Sequence, residues 1–253
     1  MNKLVKDSAA AVADISDRAS LAVGGFGLSG IPSTLIGALL DTDARGLTIV
    51  SNNCGANGQG LALLLEAGRI DRVIASYIGE NREFARQYLA GEVEVELTPQ
   101  GTLAERLRAG GAGIPAFYTP TGVGTLIAEG GLPWRYDPGG SVAVASPPKE
   151  VRTFDGGDGP RDYVLEHAIT TDFALIRAAV ADSHGNAVFR LAAQNFNIAA
   201  AMAGRITVLE AERVVPAGTL DPSSVHLPGI YVQRVLSLED AGRNGAAVTG
   251  EVR

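Results

Sequence analysis

The chain has 253 residues, of which 46% are hydrophobic and 19% are charged. This composition is too apolar for a disordered protein, and 32 glycines interrupt it too often for a coiled coil. The 21 Lys and Arg against 28 Asp and Glu give a net charge of −7, which argues against a broad nucleic-acid-binding surface. The sequence therefore predicts a soluble globular protein built around one α/β domain.

Short β-branched runs alternate with helical runs in the first half of the chain. The predicted strands are residues 21–23, 47–50, 72–78 and 93–97. The segments between them carry apolar residues at helical spacing, and several of these segments end in glycine. Strands separated by helices of this length imply βαβ units, and the right-handed crossover rule then predicts a mostly parallel, doubly wound sheet flanked by helices.

The second half of the chain changes in texture without indicating a new domain. Two Pro- and Gly-rich stretches read as long loops, and loops of this length in a compact protein are usually functional. Short strands, one helix and two further strands follow, and the segment from Glu239 onward lacks periodicity. We therefore predict one domain over residues 1–238 and a disordered tail over 239–253. The predicted loops are 113–125 and 130–140, the strands 141–146, 162–166, 205–215 and 228–236, a strand pair 172–189 and the helix 194–204.

Compartment and metal binding are both constrained by a few residues. Cys54 is the single cysteine, which excludes an intramolecular disulfide and a Cys-rich metal site and indicates a cytoplasmic protein. His167, His184 and His226 are far apart and none has zinc-site spacing. The N-terminal segment has no export signal, and no apolar run reaches the roughly 18–20 residues of a membrane span. We expect no metal, no membrane association and no nucleic acid.

A glycine-rich turn follows the first predicted strand. Residues 25–30 match G-x-G-x-x-G, a pattern that lets the backbone approach a ligand while the next helix offers free N–H groups to an anion. An NAD site also needs an acid at the end of the next strand, but that strand runs into Ser51, Asn52 and Asn53. The motif alone therefore leaves open a non-NAD anion site, a turn without a ligand in a scaffold or homo-oligomer, and an NAD-dependent oxidoreductase.

Longer segments carry a family resemblance. Residues 24–32, 51–65, 76–125 and 172–197 resemble the A (alpha) subunits of family I CoA-transferases, and the resemblance extends over about residues 4–236. The segment 76–125 is similar to the branch that acts on 3-oxoacids. The resemblance implies a CoA-transferase-like α/β domain, coenzyme A as a substrate without other cofactors, and no metal.

The resemblance also implies a reaction and a partner. CoA passes from succinyl-CoA to acetoacetate or a related 3-oxoacid through a glutamyl-CoA thioester. The family's nucleophilic glutamate lies in the B subunit, so the expected enzyme is a heterodimer or heterotetramer. The corresponding alpha subunit of a 3-oxoadipate or acetate CoA-transferase is the alternative within the family.

Site residues follow from the same resemblance. Gln100 would donate to the oxyanion hole, and Asn52 and Asn53 would line the same pocket. Neutral amides suit this role because they bind a developing oxyanion without pairing with a catalytic carboxylate. Read without the resemblance, Gln100 could equally be a loop residue that bonds its own backbone. The expected CoA-binding turn consists of Gly24, Gly25, Phe26, Gly27, Leu28, Ser29 and Gly30.

Other reactive side chains receive simpler interpretations. Glu80 follows a predicted strand, where a nucleophile could stand, but we interpret it as an acid at a helix start. Cys54 is expected to be a small buried hydrophobe, and the side chain of Ser29 is expected to be dispensable because related proteins carry Cys or Ala there. Phe117 and Tyr118 could wall the acyl pocket or merely cover the sheet, and the sequence leaves both open.

Overall fold

A computed structural model describes residues 1–79 and 81–239. Glu80 and nearly all of the predicted tail, residues 240–253, lie outside the described residues, so the interpretation of Glu80 and the prediction of a tail stay predictions. The helices are α1 (Ser8–Val12), α2 (Ser33–Leu40), α3 (Ala62–Glu66), α4 (Arg82–Leu89), α5 (Gln100–Gly111), α6 (Leu126–Glu129) and α7 (Asn197–Ala203), with 3₁₀ turns at Leu191–Gln194, Pro222–Ser224 and Gly229–Tyr231. The strands are β1 (Ser20–Val23), β2 (Leu47–Val50), β3 (Ile70–Ala75), β4 (Glu94–Leu97), β5 (Ala116–Thr119), β6 (Pro133–Tyr136), β7 (Val142–Ala145), β8 (Val151–Asp155), β9 (Pro160–His167), β10 (Thr171–Asp182), β11 (Ala187–Val188), β12 (Gly204–Val215) and β13 (Arg234–Ser237).

The central sheet has the strand order β13-β12-β10-β1-β2-β3-β4. All neighbours on this path pair in parallel, and β11 pairs antiparallel with β10. The chain runs from β1 through β2 and β3 to β4 on one side, then from β10 through β12 to β13 on the other. The strand order therefore reverses between β1 and β10, the position where open α/β sheets usually bind ligands.

Helices cover both faces of this sheet. Side chains of β1 alternate between two cores, with Leu21 and Val23 in one and Ala22 in the other. Helices α1 to α4 pack on the first core, and α5 and α7 pack on the second. This alternation has the two-residue period of a strand buried on both sides. The prediction of a mostly parallel, doubly wound α/β domain is confirmed.

Two small antiparallel sheets occupy the segment that we predicted to be rich in long loops. One has the order β5-β9-β8 and the other pairs β6 with β7. Strands β5 and β6 lie inside the predicted loops 113–125 and 130–140, which were therefore wrong in part. Each of these strands has four residues and none of them is buried, so neither shows the apolar alternation that marks a strand.

Two further strand predictions need correction. The strand predicted over 72–78 ends at Ala75, and the chain then leaves the sheet towards α4. The strand predicted over 228–236 divides into the 3₁₀ turn Gly229–Tyr231 and the shorter strand β13. In both segments apolar residues lie next to the strand in the chain without belonging to it, and period alone does not distinguish them from strand residues.

Buried ion pairs join the three-stranded antiparallel sheet to the central sheet. Arg106 of α5 binds Glu96 of β4 at 2.7 Å and lies 3.9 Å from Glu166 of β9, which also binds Lys149 at 2.6 Å. Burial opposes ionisation of Glu96, but Arg106 and Arg72 outweigh it and hold the pKa of that carboxyl below its usual value. Loss of one partner would leave a buried charge unpaired. The antiparallel sheet is thereby fixed to α5.

Candidate active site

The predicted site residues follow three parallel strands of the central sheet, β1, β2 and β4, with β3 between the last two. The glycine turn 24–30 follows β1, Asn52 and Asn53 follow β2, and Gln100 follows β4. Backbone hydrogen bonds align the segments between them, because the Ser76 N–H donates to the Asn52 carbonyl at 3.0 Å and the Thr98 N–H to the Ala75 carbonyl at 2.9 Å. Parallel strands end at a common edge, so the structure brings the predicted residues to one edge of the sheet.

The glycine turn is a tight hairpin. Phe26 and Ser29 exchange two backbone hydrogen bonds of 3.0 Å each and enclose Gly27 and Leu28. Gly27 has φ 59°, a left-handed conformation that favours glycine. The turn is thus defined by backbone shape, and the described structure shows no partner for the Ser29 hydroxyl. Its dispensability stays a prediction.

The helix after this turn differs from the sequence-based expectation. The Leu35 N–H in the first turn of α2 donates to Oε2 of Glu210 at 2.9 Å. A protein carboxylate from β12 therefore occupies the position where a dinucleotide-binding helix receives a phosphate. The expectation of free N–H groups at this helix start is wrong, because residues distant in sequence fill it. Together with the neutral Asn52, this contact argues against an NAD site.

Glu210 is a buried titratable group beneath the glycine turn. It is 0% exposed, its Oε1 accepts no hydrogen bond from the described residues, and Arg177 Nη1 lies 3.7 Å away. Burial raises the pKa of Glu210 to about 7, against the lowering effects of the Leu35 N–H and the Arg177 charge. Sequence analysis missed this residue, although an acid inside the apolar run 206–211 of β12 was a signal for a buried, partnered charge.

A second two-residue turn, closed by the same kind of bridge, follows β2. Ala56 and Gln59 form the same antiparallel bridge as Phe26 and Ser29, and the Gln59 N–H donates to the Ala56 carbonyl at 2.8 Å. Gly58 has φ 69°. The sequence analysis did not recognise this turn, although the spacing of Gly55, Gly58 and Gly60 was a signal for it.

The two turns lie side by side. A Cβ added to Gly60 would be 3.0 Å from Cδ1 of Ile31 and 3.8 Å from Cδ2 of Leu28, so side chains of the first turn rest on the second. Asn81 fastens the second turn, because its Nδ2 donates to the Cys54 carbonyl at 2.8 Å. The paired turns form a continuous surface above β1 and β2.

Asn52 carries an amide that the protein leaves unused. The residue is 3% exposed, yet its Nδ2 donates no hydrogen bond to the described residues. A buried donor without an acceptor is unfavourable and rare unless a ligand or partner supplies the acceptor.

The two residues after Asn52 differ in exposure. Asn53 is half-buried, and Cys54 is fully buried as predicted. Burial raises the pKa of the Cys54 thiol and so disfavours the reactive thiolate.

Gln100 is the first residue of α5 and its side chain is exposed. The side chain makes no hydrogen bond within residues 1–79 and 81–239. Gln100 thus begins a helix and does not lie in a loop, and its side chain bonds no backbone group of the described residues; its place in the oxyanion hole stays a prediction. The buried hydroxyls of Ser76 and Thr102 close to it also lack partners among the described residues.

Carboxylates of the turns and of α4 are bound within the chain. Oε1 of Glu66 accepts from the Gly58 N–H at 3.0 Å, and Glu83 pairs with Arg86 at 2.7 Å. Hydrogen bonds from Arg86 lower the pKa of Glu83 to about 2. Engaged carboxylates of this kind are poor nucleophiles, so the described residues offer this edge amide donors but no free attacking acid.

Phe117 and Tyr118 lie on β5, in the three-stranded antiparallel sheet. The Tyr118 hydroxyl donates to Glu150 at 2.6 Å, and its ring packs edge-on against Phe154 with centroids 4.9 Å apart. Phe117 pairs with Glu166 of β9. Contact of either ring with an acyl group stays a prediction.

Among the described residues no cluster suited to a metal ion occurs, and no helix is long and apolar enough to cross a membrane.

Known proteins share both the sequence and this architecture. Residues 5–238 match the model of the family described as coenzyme A transferase. The chain is 60% identical over 243 residues to the A subunit of a probable succinyl-CoA:3-ketoacid coenzyme A transferase of Mycobacterium tuberculosis, covering 96% of each. It is 53% identical to the human mitochondrial succinyl-CoA:3-ketoacid coenzyme A transferase 2, covering 92% of this chain and 44% of that one.

A solved structure extends the comparison. An acyl-CoA transferase from Escherichia coli O157:H7 superposes with a TM-score of 0.76 at 27% identity, covering 95% of this chain and 48% of that one. The resemblance read from the sequence is thereby confirmed. Since the family's residue pattern spans nearly the whole chain and the fold agrees with it, the chain belongs to the coenzyme A transferase family and is an enzyme component of that type.

Proposed function

We propose that this chain is the alpha subunit of a 3-oxoacid CoA-transferase that moves CoA from succinyl-CoA to acetoacetate or a related 3-oxoacid. The names of the relatives support the substrates and the role as one of two subunits. The free amides of Asn52 and Gln100 and the absence of a free carboxylate beside them among the described residues support a site that a B subunit completes. The proposed enzyme is a heterodimer or heterotetramer.

The proposed reaction consists of two half-reactions of two acyl transfers each, and every transfer passes through an oxyanion. The nucleophile is a glutamate of the B subunit. Its carboxylate attacks the thioester carbonyl of succinyl-CoA, an O–C bond forms, and the C–S bond breaks to give a mixed anhydride and CoA thiolate. The thiolate then attacks the glutamyl carbonyl and releases succinate. The acceptor acid reverses these steps on the glutamyl-CoA thioester. No cofactor other than coenzyme A, as a substrate, enters this scheme.

The observation that carries the proposal is the unused donor of Asn52. Each tetrahedral intermediate places negative charge on a carbonyl oxygen, and preorganised neutral donors stabilise this charge without neutralising the attacking carboxylate. Asn52 Nδ2 is buried and lacks an acceptor within the described chain, while Gln100 presents a free amide at the same edge. We assign Gln100 to the oxyanion and Asn52 and Asn53 to the pocket wall.

Exposed apolar side chains beside the glycine turn support a covering partner. Phe26 is 47% exposed and Leu191 89% exposed. Leu191 also has φ 48°, an unfavourable conformation for leucine, and its 3₁₀ turn reaches Gly30, where an added Cβ would lie 3.0 Å from Ala193. Exposed apolar groups at a site edge are typical of an interface, and obligate interfaces commonly exceed about 2,000 Å².

The site of action is proposed to be the cytoplasm. The single cysteine supports a reducing compartment, since it is buried and free. The names of the bacterial relatives state no cellular compartment, whereas the human relative is described as mitochondrial.

Coexpression with a B subunit tests the proposal. The purified complex should form acetoacetyl-CoA from succinyl-CoA and acetoacetate, and neither polypeptide should do so by itself. Incubation with succinyl-CoA should leave a CoA adduct on the B subunit, detected by intact-mass spectrometry. Full turnover by the present chain without its partner would refute the proposal. Preference for acetate or 3-oxoadipate as acceptor would identify the alternative branch of the family.

A further inference from the structure

Two asparagines from the far half of the sheet contact the glycine turn. Asn197, the first residue of α7, is 0% exposed. Its Nδ2 donates to the Gly30 carbonyl at 3.0 Å, and its Oδ1 accepts from the Arg177 N–H at 3.0 Å. Asn195 Nδ2 donates to the Ser29 carbonyl at 3.1 Å. One buried amide therefore connects β10 to the end of the turn that follows β1.

Asn197 also fixes the start of the turn. A Cβ added to Gly24 would overlap Oδ1 of Asn197. Gly24 does not have a positive φ, so its backbone conformation does not require glycine. Glycine is needed at this position because the Asn197 amide packs directly against the backbone. The same side chain therefore touches both ends of the turn, Gly24 and Gly30.

These contacts place the carbonyl groups and the N–H groups of the turn in different environments. The asparagine amides bind the carbonyls of Ser29 and Gly30. The N–H groups of Gly25, Gly27, Leu28 and Gly30 donate no hydrogen bond within residues 1–79 and 81–239. The N–H groups of Gly27 and Leu28 are consecutive, and consecutive free N–H groups beside a left-handed glycine suit an anion. The carbonyls are held on the protein side while the N–H groups stay available.

We propose that Asn197 is a positioning residue that shapes this turn to receive the phosphate groups of CoA. This inference rests on the proposed function, in which the turn 24–30 binds CoA. Asn197 touches no reacting atom in this scheme and acts through the backbone that it holds. Loss of its amide would free the Gly30 carbonyl and let the turn relax, which would weaken the contacts between the turn and an anionic ligand.

If Asn197 only stabilised the fold, its substitution would have a different effect on activity. A truncated substrate distinguishes this role from the proposed positioning role. Succinyl-CoA carries the phosphates, whereas succinyl-N-acetylcysteamine has the same thioester without them. Damage to the fold would lower kcat/KM for both substrates equally. A misplaced turn would lower kcat/KM for succinyl-CoA alone, so the preference for the full substrate is the informative measurement.

The experiment uses the complex of this chain with its B subunit. Asn197→Ala should reduce the preference for succinyl-CoA by about 10-fold, the effect of losing roughly one charge-assisted hydrogen bond. Asn197→Asp keeps the acceptor for the Arg177 N–H but removes the donor, and should behave similarly. Asn195→Ala loses the contact with Ser29 and the 3.3 Å bond from Asn197 Nδ2 but keeps the bond from Asn197 to Gly30, and should have a smaller effect in the same direction. The calorimetric Kd for CoA should rise in parallel.

Asn186 offers a matched control. Its Nδ2 donates to Asp182 at 2.7 Å and its Oδ1 accepts from the Gly229 N–H at 2.8 Å, in a turn away from the glycine turn. Asn186→Ala should leave the preference unchanged. An unchanged preference in every Asn197 and Asn195 variant that folds, with an active wild-type complex, would overturn the inference. An inactive wild-type complex would instead remove the proposed function and, with it, this inference.

Discussion

The two glycine turns close with the same antiparallel bridge, but their left-handed glycine stands at different positions and their hydrogen bonds differ. In the first turn, 24–30, asparagines bind the carbonyls, and the N–H groups of Gly27 and Leu28 stay free of described partners. In the second turn, 54–60, the Gly58 N–H is occupied by Glu66 of α3, and Asn57 accepts from the Arg82 N–H. The N–H group of the second central residue is therefore free of described partners in the first turn, which we call the open turn, and bonded to a carboxylate in the second, which we call the closed turn. Turn shape alone does not specify a ligand, because the contacts that hold the turn decide which groups remain available.

The largest expected effect comes from adding one methyl group to the open turn. Gly24→Ala should lower kcat/KM of the complex for succinyl-CoA by more than about 100-fold, because the new Cβ displaces Asn197 and with it both ends of the turn. Gly58→Ala in the closed turn meets no atom within 4 Å but requires φ 69°, and should cost about 1 kcal/mol of stability. Steady-state kinetics and urea unfolding measure both. Equal activity of the two variants would contradict the functional difference between the turns.

Substitution of a side-chain amide that makes no hydrogen bond within the described residues should lower activity. Substitution of an amide that is hydrogen-bonded within the chain should instead lower stability. Gln100→Ala should lower kcat by about 100-fold with unchanged stability, because the side chain makes no hydrogen bond within the described residues. Asn81→Ala removes the bonds to the Cys54 carbonyl and the Phe84 N–H and should instead destabilise the chain by about 1–3 kcal/mol. Single-turnover kinetics and chemical denaturation separate the two outcomes. A change of less than threefold in kcat for Gln100→Ala would argue against its place in the oxyanion hole.

The carboxylate beneath the open turn predicts a pH dependence of stability. Burial raises the pKa of Glu210 from 4.5 to about 7, so between these values the folded chain holds a proton that the unfolded chain lacks. The stability from this group is therefore fully present below pH 4.5 and falls as pH rises towards 7. Glu210→Gln removes this loss, and its unfolding free energy relative to wild type should rise by on the order of 2 kcal/mol from pH 5 to pH 8. A constant difference would show that Arg177 keeps the carboxylate ionised throughout.

The smallest expected effect is that of substituting Leu191, the exposed leucine beside the open turn 24–30. Leu191→Ser should weaken association with the B subunit by about 10-fold, because an exposed apolar side chain that becomes buried in an interface contributes on the order of 1–2 kcal/mol. Leu89→Ser changes a residue that is 65% exposed at the end of α4 and serves as the matched control. Surface plasmon resonance between the two subunits measures both affinities. If both substitutions reduced the affinity for the B subunit equally, the reduction would not be specific to Leu191, which would argue against an interface at this residue.

Local signals in the sequence predicted much of the sheet. The apolar run 47–50 coincides with β2, and the turn residues around Gly185 join β10 to β11 as expected. Strands β5 and β6 were missed because four half-buried residues between prolines and glycines carry no period. Local pattern therefore identified buried strands well and short, partly exposed strands poorly.

The contacts that distinguish the two turns were beyond the reach of local patterns. Asn195 lies 166 residues from Ser29, and Glu210 lies 175 residues from Leu35. Asparagine in a helical segment and glutamate in a strand carry no local signal of their distant partners. The resemblance to a family named the site residues, but the reason that Gly24 is a glycine becomes visible only when α7 and β1 are placed together.

The buried ion pairs around Arg106 also affect how the molecule opens. Because Glu96, Arg106 and Glu166 join β4, α5 and β9, the antiparallel sheet cannot separate without leaving a carboxylate stranded away from water. Deuterium should therefore replace the amide hydrogens of β9 near Glu166 in the same cooperative event as those of α5. The outer sheet then behaves as part of one folding unit with the central sheet, despite its separate hydrogen-bond ladder.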